Sequence, residues 1–241
     1  MRERDGGPAC VVCVHGAGGG GWEWAIWARV LGARGHDVFA PDLVPDPRGL
    51  AATRFEEYRA QVIDWCRGLS QPPVLVGASL GGLLALTVVR DVHAAALVLV
   101  NPLQPSGLVD SLPSPAVVPW RSRRSFASTE RAMPDADDAA RLHAFRRWRD
   151  ESGAVLDDAR AGVPIEAPAC PVLVFASEHD ADVPAESTGL LAATLEADFE
   201  RIRGASHVGP LLGHSAARTA ERVCDWLAQH AGAPHAAPRR A

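Results

Sequence analysis

The strongest chemical signal in the chain is Gly77-Ala78-Ser79-Leu80-Gly81, a G-x-S-x-G pentapeptide. The pattern is short enough to recur by chance, so its context decides. An apolar, strand-like run from Pro73 to Ala78 leads into it, and helical spacing begins at Leu80. A serine on a sharp strand-to-helix turn presents its hydroxyl at the end of the sheet, and such a turn needs neighbours without side chains two residues away. Gly77 and Gly81 meet that need, and Gly82 lets the following helix approach the sheet. A glycine-rich turn with a spectator serine is the competing reading; the context favours a nucleophile.

A serine hydroxyl is a weak nucleophile near neutral pH and needs a base. Among the nine histidines, His207 stands in Gly204-Ala205-Ser206-His207, after the last strand-like run and before a helix, where it could reach Ser79. His214 lies deeper in the next segment, and His36, His93, His143, His230 and His235 have ordinary surface explanations. The base in turn needs an acid to fix its tautomer and stabilise the imidazolium. Asp180, in Ser177-Glu178-His179-Asp180, closes another strand and is the preferred acid, with Asp182 and Glu178 as near rivals. Two donors must meet the developing oxyanion. The backbone N–H of Leu80 can supply one and that of Ala17, in the loop His15-Gly16-Ala17-Gly18, the other; His15 itself reads as structural. A phosphate cradle at Gly16 to Gly21 is disfavoured, because no Gly-Lys-Ser/Thr follows and no acidic ribose partner is evident.

These residues must be held by an alternation of short apolar runs and amphipathic segments, which predicts an α/β fold with a mostly parallel sheet of about six strands and helices on both faces. The strands are expected at Cys10–His15, Val38–Ala40, Pro73–Ala78, Ala95–Val100, Pro171–Ala176 and Phe199–Ile202. Helices are expected at Trp22–Arg34, Phe55–Leu69, Leu80–Arg90, Pro184–Leu195 and Ala216–His230. The alternation breaks after the fourth strand. Residues 103–169 read as an inserted lid with a proline-rich start, an Arg-rich stretch and a charged helix near Asp135–Asp150. Trp120 and Phe126 are expected to give it an apolar, substrate-facing wall, whereas Arg121, Arg123 and Arg124 read as solvated surface before a seat for an acidic substrate group. The whole, 1–241, is expected to form one domain ending in a flexible tail at 231–241.

Composition narrows the class. Apolar residues make up 47% of 241, enough for a sizeable core, and a net charge of −5 gives no reason to expect nucleic acid. Every basic side chain apart from histidine is arginine, which suits a GC-rich coding sequence. The five cysteines are scattered; Cys10 and Cys13 form a C-x-x-C inside an apolar run with no second pair at zinc spacing, and read as small buried hydrophobes. No metal or cofactor is expected. The N-terminal segment carries no apolar signal region and no apolar stretch is long enough to span a bilayer, so a cytoplasmic protein without membrane attachment is expected.

Taken together, HGAGGGGWEW at His15–Trp24, GHDVFAPDL at Gly35–Leu43, GASLGG, SEHDADVP and GASH closely resemble the α/β-hydrolase superfamily, specifically a small serine hydrolase of the esterase and hydroxynitrile lyase-like group. The order Ser79, Asp180, His207 is that of the superfamily's triad. Ala78 stands where many members carry His, Ser177 replaces a usual glycine, and the turn at Val44–Gly49 is altered; none of these removes a catalytic group. The serine speaks against the dehalogenase and epoxide hydrolase relatives, which use Asp. The resemblance implies cleavage of a carboxylic ester, thioester or lactone in a small to medium organic substrate, free or carrier-bound. It also admits a lyase, cyclase or elimination step in natural-product biosynthesis, or a ligand receptor on the same scaffold. It assigns no oligomeric state.

Overall fold

The computed structural model describes residues 8–107 and 112–230; the tail at 231–241 and a few residues of the proline-rich stretch lie outside them. In chain order the elements are β1 (Cys10–Val14), a 3-10 turn (Gly21–Trp24), α1 (Ala25–Ala33), β2 (Asp37–Phe39), a second 3-10 turn (Leu50–Ala52) and α2 (Phe55–Cys66). Next come β3 (Val74–Ala78), α3 (Leu80–Val88) and β4 (Ala96–Val100). The insertion holds β5 (Val117–Val118), α4 (Phe126–Ala132), α5 (Asp138–Phe145), β6 (Glu151–Ser152) and α6 (Gly153–Ala161). The chain returns through β7 (Val172–Ser177), α7 (Ala185–Thr194), β8 (Asp198–Ile202), α8 (Gly209–Leu212) and α9 (Ala216–His230).

β1, β3, β4 and β7 are near-continuous runs of Val, Leu and Ala because both faces of the sheet are covered. Six strands pair in parallel in the order β2-β1-β3-β4-β7-β8. Alternate side chains feed two cores. Val12, Leu75, Leu97 and Val174 pack with Tyr58 and Val62 of α2 and Leu83 of α3; Val11, Val76, Val98 and Phe175 pack with Trp27 of α1 and Val223 of α9. The C-x-x-C is split by the same alternation: Cys10 joins the first core and Cys13, fully buried, the second. Burial raises the thiol pKa of both, so neither has thiolate character. All five cysteines are unpaired. α9 repeats its buried residues at Ala216, Thr219, Ala220, Val223 and Leu227, the spacing of one helical face.

The strand order reverses between β1 and β3, since the chain steps outward to β2 and then back past β1. In open parallel sheets the crevice at the carboxyl ends of the strands flanking such a reversal is where ligands bind. The glycine loop after β1 and Ser79 after β3 occupy it.

The six predicted strands all form, with ends moved by a residue or two. The segment expected as one charged helix near Asp135–Asp150 is shorter, Asp138–Phe145, and is flanked by two helices the sequence did not separate, α4 and α6. Both have local caps: the hydroxyls of Ser125 and Ser152 accept the N–H of Ser128 and Val155. β5 and β6 pair antiparallel, giving the insertion a small ribbon of its own. No helix among the described residues is long and apolar enough to cross a membrane.

Candidate active site

Ser79 sits between β3 and α3 at φ 52° and ψ −120°, a conformation a side chain rarely adopts. The surroundings enforce it. A methyl group on Gly77 would lie 2.3 Å from the Gly81 carbonyl oxygen, and one on Gly81 would lie 2.2 Å from that of Val14. The Ser79 N–H donates to the Val100 carbonyl at 3.0 Å, while its own carbonyl accepts from Gly82, Leu83 and Leu103. Leu80 opens α3, so its N–H has no partner within the helix.

Across the crevice, Gly16 lies so close to Ser79 that an added Cβ would be 3.2 Å from the serine Cβ. No hydrogen bond within the described residues engages the Ala17 or Leu80 N–H. His15 sets the loop from below. Its Nδ1 meets the Gly16 carbonyl at 2.8 Å and must donate, so its Nε2 accepts the Leu43 N–H at 2.8 Å. Burial keeps this ring neutral by lowering its pKa to about 4.

His207 follows β8. Its Nδ1 pairs with Asp180 Oδ2 at 2.7 Å, and Asp180 Oδ1 accepts the N–H groups of Asp182 and Val183 at 2.8 Å each. Nδ1 therefore carries the proton and Nε2 is the basic nitrogen. Burial disfavours the imidazolium, but the hydrogen bond and charge of Asp180, with Asp182 further off, outweigh it and raise the pKa. Asn101, held at φ 46° after β4, fixes the backbone: its Nδ2 donates to the His207 carbonyl at 2.7 Å and to Ser177 Oγ at 2.9 Å. From the insertion, Asp135 accepts the N–H and hydroxyl of Ser206 at 3.0 and 2.5 Å. Asp180, Asp182 and His207 bring three metal-capable groups together. Both Asp180 oxygens are already committed to the histidine and the loop.

Two cavities meet at Ser79, and His207 lines both. One, of about 500 Å³, is walled by Leu103, Trp120, Leu156, Ala159 and Val183, with Arg124 and Arg160 among its polar groups. Arg160 is engaged by Asp157 and Ser114. Arg124 lies over the Phe145 ring at 5.1 Å and donates to the Arg121 carbonyl, but its Nε is buried without a partner. The other cavity, about 60 Å³, is lined by Gly16, Ala17, Glu23, Trp148 and Leu211.

A family model described as the alpha/beta hydrolase family matches residues 11–222. The chain belongs to this family. No curated protein sequence matches it. Three solved structures with the same fold are polyneuridine aldehyde esterase, a methylesterase from Arabidopsis and tomato methylketone synthase I complexed with 2-tridecanone. The first is 18% identical, with a TM-score of 0.71 over 91% of this chain and 99% of that one. The methylesterase is 13% identical, TM-score 0.71, over 92% and 98%; the synthase is 16% identical, TM-score 0.74, over 92% and 99%.

In this alpha/beta hydrolase, Ser79, His207 and Ala17 line one crevice, Leu80 directly follows Ser79, and Asp180 binds the histidine ring. The rival acids are placed differently. Glu178 accepts the Gly204 N–H at 2.8 Å, and Asp182 is exposed at the cavity rim. His214 is exposed, its N–H on the Asp135 carbonyl. Trp120 lines the large cavity and packs against Gly18. Phe126 lines neither cavity; its ring meets Phe145 edge-on at 5.8 Å. Arg121 and Arg123 are exposed as expected, whereas Arg124 turns inward because Phe145 supports its guanidinium. Sequence reasoning passed over Asn101, Glu23, Trp148 and the Arg149–Glu151 segment. For Glu23 a signal existed: a lone acid between Trp22 and Trp24 at the end of a glycine loop.

Proposed function

We propose that this alpha/beta hydrolase cleaves a carboxylic ester, thioester or lactone bond of a small to medium organic substrate through an acyl-enzyme on Ser79. The observation that carries the reading is the 2.7 Å pairing of His207 Nδ1 with Asp180, which leaves Nε2 as a base in the crevice that Ser79 enters. In this mechanism His207 Nε2 takes the hydroxyl proton as Ser79 Oγ attacks the carbonyl carbon. Asp180 holds the ring and stabilises the imidazolium. The Ala17 and Leu80 N–H groups stabilise the tetrahedral oxyanion. Collapse breaks the ester bond, the leaving group takes the proton from His207, and water then repeats the sequence to free the acid.

The large cavity suits the acyl portion, and the insertion that walls it acts as the lid. Its apolar lining, with Trp120 on one side, favours an organic chain or ring, and Arg124 offers a cation to an oxygen-rich or carboxylate end. The esterase and methylesterase among the similar structures agree with ester chemistry in general terms. The test is intact-protein mass after treatment with a small fluorophosphonate. One adduct on the wild type and none on Ser79→Ala, followed by turnover of short aryl esters, is the expected result. A folded wild type that takes no adduct and turns over no ester would overturn the proposal.

A further inference from the structure

Glu23 is the unexplained group at this site. Its side chain comes off the 3-10 turn after the glycine loop, the residue is 4% exposed, and Oε2 is buried with no hydrogen-bond partner. The carboxyl presses against the Gly19 backbone so tightly that a Cβ there would lie 2.2 Å from Oε2. It forms part of the wall of the 60 Å³ pocket that also receives Ser79 and His207. A carboxyl with an unpartnered buried oxygen costs free energy and does nothing for packing that a leucine would not do. The pocket measures about 60 Å³, against about 500 Å³ for the larger cavity that shares Ser79 and His207 with it, so it suits a small group best.

We propose that Glu23 is a further catalytic residue, whose carboxyl O–H donates a hydrogen bond to the oxygen of a small alcohol leaving group held in this pocket, and then to the water that replaces it. The inference rests on the ester-cleaving reading and narrows it to esters of methanol-sized or ethanol-sized alcohols. Glu23 keeps its proton throughout. Ser79 loses its proton to His207 as the Oγ–C bond forms, and the C–O ester bond breaks. The departing alkoxide takes that proton from His207 and leaves as the alcohol while hydrogen-bonded to Glu23.

The surroundings hold the carboxyl in the donor form. Burial raises its pKa to about 8, opposed by the Gly20 and Gly16 N–H groups and by the charges of Arg149 and His207. His15, Asp42 and Glu151 bind the same loop at Gly16, Gly21 and Gly18.

The test compares kcat/KM against pH for the methyl ester and the p-nitrophenyl ester of one acid. In the wild type, methyl-ester cleavage falls as pH rises through about 8 and Glu23 ionises. Glu23→Gln, which keeps an N–H donor but cannot ionise, loses about tenfold at neutral pH and lacks this upper limb. Glu23→Ala loses roughly 100-fold on the methyl ester and much less on the aryl ester, whose leaving group needs little help. An unchanged upper limb in Glu23→Gln, or full methyl-ester turnover in Glu23→Ala, overturns the inference. Fluorophosphonate labelling of Ser79 in the same variants keeps the two readings apart. Labelled variants with no Glu23 effect sink only this inference, whereas an unlabelled wild type sinks the parent reading. Thermal melts show that each variant is folded; Glu23→Gln removes a buried acid and is expected to melt no lower than the wild type.

Discussion

Glu151 and Gly18 join the insertion to the glycine loop: Glu151 Oε2 accepts the Gly18 N–H at 3.0 Å. Its Oε1 takes the Tyr58 hydroxyl at 3.0 Å and the Ser152 N–H at 2.8 Å, all in buried surroundings. One residue earlier but one, Arg149 donates its N–H to the Gly18 carbonyl and Nε to that of Gly19. The loop bearing Ala17 is thus positioned from β6 as well as from β1.

Glu151→Ala strands the Gly18 N–H and the Tyr58 hydroxyl, each costing about 1–3 kcal/mol when buried and unmatched. For a chain of this size the melting temperature is expected to fall by roughly 5 °C or more. Ester turnover should drop at least about tenfold as the Ala17 donor loses its place. A thermal melt and a rate assay check both, and an unchanged melt would refute the anchoring role.

The acid role separates cleanly by substitution. Asp180→Asn keeps the shape but favours the wrong histidine tautomer, and kcat should fall by about 10⁴-fold. Asp182→Asn, on a residue that does not touch the imidazole, should cost no more than about fivefold. Equal losses in steady-state assays of the two variants would reassign the acid.

The pH dependence has a definite sign. His207 must be neutral to act as base, and its pKa is raised above the ordinary histidine value. Activity should therefore climb with pH through a midpoint above 6.5. In Asp180→Asn the charge that offset burial is gone, so the His207 midpoint, followed by NMR, should move to lower pH. For stability, a group whose folded pKa is raised contributes below its unfolded value, and that contribution is lost as pH rises through the folded pKa.

Arg124 should govern the acyl preference. Arg124→Gln is expected to lower kcat/KM about tenfold or more for an acyl chain ending in a carboxylate, and to leave the matching alkyl ester nearly unchanged. Equal effects on both esters, measured side by side, would mean that Arg124 serves the wall and not the ligand.

What was legible in the chain follows from how local each requirement is. The turn at Ser79 announces itself because Gly77 and Gly81 are demanded by backbone oxygens a few residues or one strand away. Asp180 was legible because β7, just before it, is a plain apolar run; β8 is short and largely polar, and for His207 the loop Gly204-Ala205-Ser206-His207 ahead of a helix was the signal. Phe126 was misplaced on the substrate-facing wall, since whether its ring faces the cavity or Phe145 depends on how α4 settles against α5. Glu23 was overlooked for a related reason. The pocket it lines is shared with Trp148 and Leu211, more than a hundred residues away in sequence. The inward turn of Arg124 likewise depends on Phe145, which local charge patterning does not reveal.

The parallel register of the sheet has a kinetic meaning. Val11 pairs with Val74 across two helices, and Leu97 pairs with Val172 across the entire insertion. Pairings this distant close late, because long loops must be ordered before the contacts reward them. Helices such as α9 can gain structure early, while the ends of β1, β3, β7 and β8 converge only when all four strands are in line. On dilution from denaturant, far-ultraviolet ellipticity should recover first and turnover last, so the catalytic assay reports completion of the central sheet.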